Sequence, residues 1–258
     1  MKPSLPCLAA LLAFGAISAS VTHVHAVYFF DDFSDQPVGE FPGSPWTGGS
    51  ETGGTVVVEQ DTDALFGRGT DNRFLRFTAD VGDGTVRAQS NDLFEVGEGP
   101  DFFQIGFDFI ETDDSPFDGN SRFAIRPYAG AGFATDQIGQ VDLRELRNDG
   151  MYNQGELYRI EWVLNTSETS LNYDFAGDAH TLGSQSSHVW INDTLWDDER
   201  GLNLTGTFTG FDLRTFGGNE IEIFVDNVSV VPEPSTYALI FGGLAGVLIW
   251  LRRRNRNA

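Results

Sequence analysis

The chain has 258 residues, with 38 Asp and Glu against 16 Lys and Arg, for a formal net charge of −22. That balance argues against nucleic-acid binding, which needs clustered Lys and Arg to meet phosphates. A single cysteine excludes a disulfide scaffold and any cysteine-based zinc site.

In chain order, residues 1–26 read as a secretory signal peptide. Lys2 supplies the charge, Leu8 to Ile17 the apolar run, and Val24-His25-Ala26 a small-residue cleavage site. The run is short for a span of about 20 residues, which favours cleavage over a retained anchor. Cys7 lies too early for a lipoprotein box and counts as one more apolar residue.

Residues 27–231 then form one expected domain of 205 residues, without lysine or cysteine, holding 11 Arg against 37 Asp and Glu, a formal charge of −26. Its 20 Phe are enough to build a core without disulfides. Short apolar or alternating runs recur between Gly, Asp, Asn and Ser clusters, the all-β signature. The expected strands are Val27–Phe33, Thr55–Gln60, Phe74–Ala79, Thr85–Ser90, Phe102–Glu111, Arg122–Tyr128, Gly139–Leu143, Leu157–Asn165, Ser170–Phe175, His188–Asn192, Phe208–Phe216 and Ile221–Val231. Phe103, Ile105, Phe107 and Phe109 alternate with Gln104, Gly106 and Asp108; Tyr158, Ile160, Trp162 and Leu164 alternate with Arg159 and Glu161. Period two places one face in a core and the other in water. A dozen such strands make two packed sheets, a jelly-roll-like β-sandwich, with one helical turn at Leu143–Arg147.

Three stretches resemble the concanavalin A-like lectin/glucanase superfamily in its laminin-G-like form. They are Phe29-Phe30-Asp31-Asp32-Phe33-Ser34 with Pro37-Val38-Gly39; Tyr158 to Asn165 with His188-Val189-Trp190-Ile191-Asn192; and Val225-Asp226-Asn227-Val228-Ser229-Val230. That superfamily includes carbohydrate binders, glycosidases and adhesive modules, so the resemblance implies a fold and leaves the activity open.

Several constellations bear on that choice. Glu220, Glu222 and Asp226 share one face of the last strand, and Glu220 and Glu222 are the catalytic candidates for glycoside hydrolysis. Neighbours two apart on a strand sit about 6.5–7 Å apart, wider than the roughly 5–5.5 Å of a retaining pair. The competing reading, a solvent-facing acidic strand, is favoured. His180 and His188 lack zinc-site spacing, and neither a nucleophile elbow nor a phosphate loop occurs. If the resemblance makes the first and last strands neighbours, Asp31, Asp32, Asp226 and Asn227 are candidates for a structural calcium, against plain turn and surface acids. Trp46, Tyr128, Trp190 and Trp196 are the candidate carbohydrate platforms, each also readable as packing. Thr205-Gly206-Thr207 is too short to form an ice-binding array.

The C-terminal stretch 232–258 has three parts: Pro232-Glu233-Pro234 following Val231, an uncharged run from Ser235 to Leu251, and Arg252-Arg253-Arg254-Asn255-Arg256. The seventeen-residue run would span roughly 25 Å as a single hydrophobic helix, short of a bilayer core of about 30 Å. The arginines would hold its end on the cytoplasmic side. This order resembles the PEP-CTERM protein-sorting signal, also known as the ice-binding protein C-terminal motif. The resemblance implies export across the inner membrane, transient anchoring through Arg252, Arg253, Arg254 and Arg256, and cleavage at Val231–Pro234 by an exosortase. It places the passenger at the cell surface or in the extracellular matrix. The expected function is therefore that of an exported, non-enzymatic lectin-like module binding exopolysaccharide, with a glycosidase on the same fold as the alternative.

Overall fold

In the computed structural model, residues 28–50, 54–79, 85–90, 93–95, 97–112, 122–130, 136–203, 206–216 and 220–232 are described. The expected signal peptide, Glu233, Pro234 and the Arg252–Arg256 cluster lie outside them.

Alternation of large apolar residues builds two sheets. The larger has eight strands in the order β13 (Thr194–Gly201), β12 (Ser186–Ile191), β9 (Tyr158–Asn165), β6 (Phe102–Glu111), β15 (Ile221–Pro232), β4 (Arg73–Ala79), β3 (Thr55–Gln60), with β1 (Phe29–Asp31) pairing β15 beyond the end of β4. The smaller has five: β2 (Trp46–Ser50), β5 (Val86–Ser90), β14 (Gly210–Phe216), β7 (Arg122–Tyr128), β8 (Val141–Asp142). A separate hairpin, β10 (Leu171–Phe175) and β11 (Asp178–Leu182), and one helix, α1 (Leu143–Asn148), complete the elements. The chain is an all-β sandwich with one short helix.

Between the two sheets lies a core rich in phenylalanine. Phe103, Ile105, Phe107 and Phe109 of β6 are fully buried, as are Phe77, Phe123 and Phe211. Rings meet across the layers: Phe77 packs edge-on against Phe123 at 5.1 Å, and Phe103 stacks on Phe208 at 4.1 Å. Each such side chain contributes about 1.5–3 kcal/mol by burial, which is how the domain holds without a disulfide. Helix α1 is capped by Asp142, whose carboxylate accepts from the Arg144 N–H at 3.0 Å, and it buries Leu143 and Leu146. Glu111, fully buried at the end of β6, accepts from Tyr152 Oη at 2.6 Å, Arg147 Nη1 at 2.8 Å and Gln154 Nε2 at 2.8 Å, clasping the segment after α1 to the large sheet.

The expected strands Thr55–Gln60, Phe102–Glu111 and Arg122–Tyr128 have the observed bounds. Gly139–Leu143 contracts to β8 because Leu143 opens the helix. The first strand ends at Asp31, whose carboxylate accepts from the Phe33 N–H while Phe33 turns to a φ of 58°. Three strands were not expected from the sequence. β2 contains two glycines, and β11 and β13 are polar, so none shows an apolar alternation. A further correction concerns the second face of β6 and β9. It is not simply in water: Asp108 is buried and Gly106 lies beneath the Arg159 side chain.

Candidate functional site

The two carboxylates proposed for glycoside hydrolysis meet different surroundings. Glu222 is bound by Arg76, at 2.5 Å from Nη2 and 2.7 Å from Nε, and Arg76 also holds Glu59 at 2.8 Å. These bonds, to Glu59 first, raise the Arg76 pKa against the effect of burial. Glu220 is exposed just before β15, and Phe224 separates Glu222 from Asp226 on the same face by packing with Phe66, Phe74 and Ile110.

The four calcium candidates do come to one region, because β1 pairs with β15 and Asp31 stands opposite Val228. Their oxygens already face donors. Asp31 accepts from Trp46 Nε1 at 2.7 Å, Gln36 Nε2 at 3.3 Å and the Phe33 N–H; Asp32 accepts from the Ser34 N–H at 3.1 Å. Asp226 accepts from Asn72 Nδ2 at 2.9 Å and the Asn227 N–H at 2.7 Å, and the side-chain Oδ1 of Asn227 accepts from Arg68 Nη1. A guanidinium between Asn227 and Asp108 is the opposite of a cation site. Among the described residues no three His, Cys, Asp or Glu side chains gather to hold a metal ion, and the oxygens of these four are already turned to N–H donors.

Of the four proposed aromatic platforms, three are inside. Trp46 packs edge-on against Phe29 and Phe211, and Tyr128 is buried on β7. Trp190 lies under the β10–β11 hairpin, 4.5 Å from the Phe175 ring, and donates to Tyr173 Oη at 3.1 Å. Trp196 alone is half-exposed, and its Nε1 donates to Asp149 at 2.9 Å. His188, beneath the same hairpin, meets Tyr173 Oη at 2.6 Å and serves packing.

The outer face of the large sheet carries a closed ion-pair network. Asp108 on β6 binds Arg159 Nη1 at 3.0 Å, Arg68 Nη2 at 2.9 Å and Asn227 Nδ2 at 2.6 Å. Arg159 also donates to Glu161 at 3.1 Å and, across the side-chain-free position Gly106, to Ser229 Oγ at 3.4 Å. Asn227 takes a φ of 50° at the bulge that separates the Asp226–Asp108 pairing from Ser229–Gly106, and Asn is among the few residues suited to that conformation. Burial pushes the Asp226 carboxyl up to about 6, against the bonds from Asn72 and Asn227 and the nearby Arg68 charge.

The outer face of the small sheet is organised differently, and the sequence reading missed it. Asp212 on β14, fully buried, is held by two arginines at once. Arg126 on β7, its partner in register, reaches it through Nε at 3.2 Å and Nη2 at 3.1 Å. Arg214 reaches it through Nε at 2.7 Å and Nη2 at 2.6 Å. Both guanidinium carbons lie 5.2 Å from the centre of the Phe216 ring. Burial lowers and the Asp212 bonds raise the Arg126 pKa, with a net rise; burial and the same carboxylate push Tyr128 well above its usual range. Gln89 and Arg87 of β5 stand opposite Asp212 and Arg214. Arg122, whose side chain is 42% exposed, borders the face and reaches Asp142 at 3.5 Å. The signal that could have found this site is the alternation Asp212-x-Arg214 and Arg122-x-x-x-Arg126 on strands already expected, in a chain with few arginines.

One cavity, of about 90 Å³, opens where Gly139, Trp162, Ser187, Arg200 and Asn203 meet. A side chain at Gly139 would press on the Trp162 ring at 3.0 Å, and Trp162 Nε1 has no acceptor there. At about 30 Å³ each it has room for about three waters, far below the 300 Å³ or more of a ligand pocket.

Residues 230–254 match the PEP-CTERM protein-sorting motif. The motif is a recognition signal for exosortase processing and implies export with membrane anchoring before cleavage. Its first residues belong to the sandwich: Val230 is buried and pairs with both Phe29 and Ile105, and the strand continues to Pro232. Among the described residues no helix is long and apolar enough to cross a membrane, and the apolar run of the motif lies outside them. No curated protein matches the chain. Among solved structures, a sialidase matches at a TM-score of 0.51 and 13% identity over 81% of this chain, which spans only 18% of the sialidase. That likeness shows the fold alone. Cellulose induced protein Cip1 matches at a TM-score of 0.49 and 14% identity, over 78% of this chain and 96% of its own. The Emp47p carbohydrate recognition domain matches at 0.48 and 9%, over 81% and 96%.

Proposed function

We propose that this chain is an exported surface or matrix protein whose passenger domain, residues 27–231, binds exopolysaccharide without cleaving it. The PEP-CTERM motif supports the destination. Support for binding comes from one observation above all: the outer face of the small sheet holds two nearly buried arginines locked on one aspartate and flanking an aromatic ring, with Arg122 exposed at its border. Planar guanidinium and aromatic groups held rigidly are what hydroxyl-rich sugar rings pack and hydrogen-bond against. The names of the solved relatives, which include a carbohydrate recognition domain, agree with that reading. The glycosidase alternative loses ground because Glu222 is occupied by Arg76, which it shares with Glu59.

The test uses the full-length chain in detergent, against a panel of neutral and acidic soluble polysaccharides, scoring affinity and released reducing ends in the same samples. Binding without release is expected. Release of reducing ends that disappears in Glu222→Gln would establish the glycosidase instead.

A further inference from the structure

The geometry points to a carboxylate-bearing polysaccharide, a polyuronate, as the ligand class of the small-sheet face. This deepens the polysaccharide reading above and rests on it.

The argument is one of charge. Trimmed of its two ends the chain holds 11 arginines against 37 acids, so nearly every surface repels an anionic polymer. Four of those arginines, Arg87, Arg122, Arg126 and Arg214, lie on the outer face of this one sheet, with Asp142 and Asp212 as the acids of its strands. The strands of this sheet thus carry more arginine than acid, on an acidic protein. Its centre carries the excess. Asp212 is one carboxylate bound by two guanidinium groups, which leaves one positive charge uncompensated within the trio. Two nitrogens of Arg214 are spent on Asp212, and among the described residues Nη1 has no acceptor. Among the described residues Arg126 Nη1 makes a long contact to Gln137 at 3.4 Å, and the Tyr128 ring lies 5.9 Å from its guanidinium carbon.

A buried cationic excess is costly unless an anion meets it. The way Asp212 sits against the two forks shows the ligand chemistry that suits them: a planar carboxylate taking paired N–H donors. Strand repeats place Arg126 and Arg122 four residues apart on β7, and Arg214 beside them on β14, so the cations form a row rather than a point. A repeating polyanion matches a row. The large sheet offers no such excess, since Asp108, Glu161 and Asp226 there meet Arg68 and Arg159.

The experiment compares polygalacturonate with its fully methyl-esterified form, which keeps the ring and linkage and removes the charge. Binding to the full-length chain in detergent is measured by calorimetry at low and high salt, with dextran sulfate as a second polyanion. Expected are affinity for the acid about tenfold or more above the ester, a loss of that preference in Arg214→Gln, and weakening by salt. Arg214 is nearly buried, so Arg122→Gln, on the exposed border, is the second variant; it should lower affinity for the acid severalfold with an unchanged melting temperature. Equal binding of acid and ester overturns the charge assignment while leaving polysaccharide recognition standing. No binding to either form overturns both. Dextran sulfate binding as tightly as polygalacturonate, unaffected by both substitutions, marks simple ion exchange and also overturns the assignment.

Discussion

The two outer faces of the sandwich both bury charged side chains, yet they close their accounts differently. On the large sheet, Asp108, Asp226 and Glu161 take donors from Arg68, Arg159, Asn72 and Asn227, three acids to two arginines. Aromatic clusters flank this strip, one built on Phe66, Phe74 and Ile110 and the other covered by the β10–β11 hairpin. On the small sheet, two guanidinium groups share a single carboxylate. A network in which acids outnumber arginines, each carboxylate taking N–H donors, fixes a bulge and holds loops; a network with a cationic excess is a scaffold for an anion. The comparison teaches that the balance of a buried cluster is more informative than the presence of charge.

The largest expected effect comes from removing the shared carboxylate. Asp212→Ala leaves two nearly buried arginines facing each other, a loss of about 3–5 kcal/mol. Thermal melting should fall by roughly 10 °C, at about 2–4 °C per kcal/mol for a domain of this size. A shift under 2 °C would mean that the trio is not a buried unit at all.

Asp226 tests the other face through pH. Its folded pKa, about 6, lies above the ordinary 3.8, so the folded chain binds a proton more readily than the unfolded chain. Stability from this group therefore rises as pH falls from 7 through 6 and is fully gained near 4, by at most about 3 kcal/mol. Asp108 stands opposite Asp226, and Arg68 lies nearby. Asp226→Asn should flatten the pH dependence of urea unfolding between pH 4 and 7 relative to the unaltered chain. Parallel curves for the two proteins would contradict the burial argument.

Asp108→Asn should cost less than Asp212→Ala, about 1–2 kcal/mol, because Arg68 and Arg159 are 45% and 37% exposed and water can take over. A cost equal to that of Asp212→Ala would erase the contrast between the faces. Smallest of all, Glu222→Gln should change stability by under about 1 kcal/mol and leave polysaccharide binding unaltered, since Arg76 keeps Glu59.

Much of the fold could be read in the residues. The alternation in Phe102–Glu111 marks β6 to the residue, because four large apolar side chains on one face tolerate no slip of register. β11 and β13 escaped because polar edge and hairpin strands carry no such alternation, and β2 because Gly48 and Gly49 read as a loop. The sorting motif was legible in full, being a linear signal. The candidate site was not. Trp46 and Tyr128 drew attention as sugar platforms, but each is as large as a core residue needs to be, and composition alone does not separate the two uses. Arg126 and Arg214 were overlooked because their meaning depends on Asp212 standing between them, a fact of strand pairing between segments some 86 residues apart.

Hydrogen–deuterium exchange on the full-length chain with and without polygalacturonate tests most directly which face is functional. The account predicts slowed exchange in 86–90, 122–128 and 210–216, the strands of the small sheet, and no change in 104–111, 159–165 or 222–229. Protection confined to the large-sheet segments would contradict it.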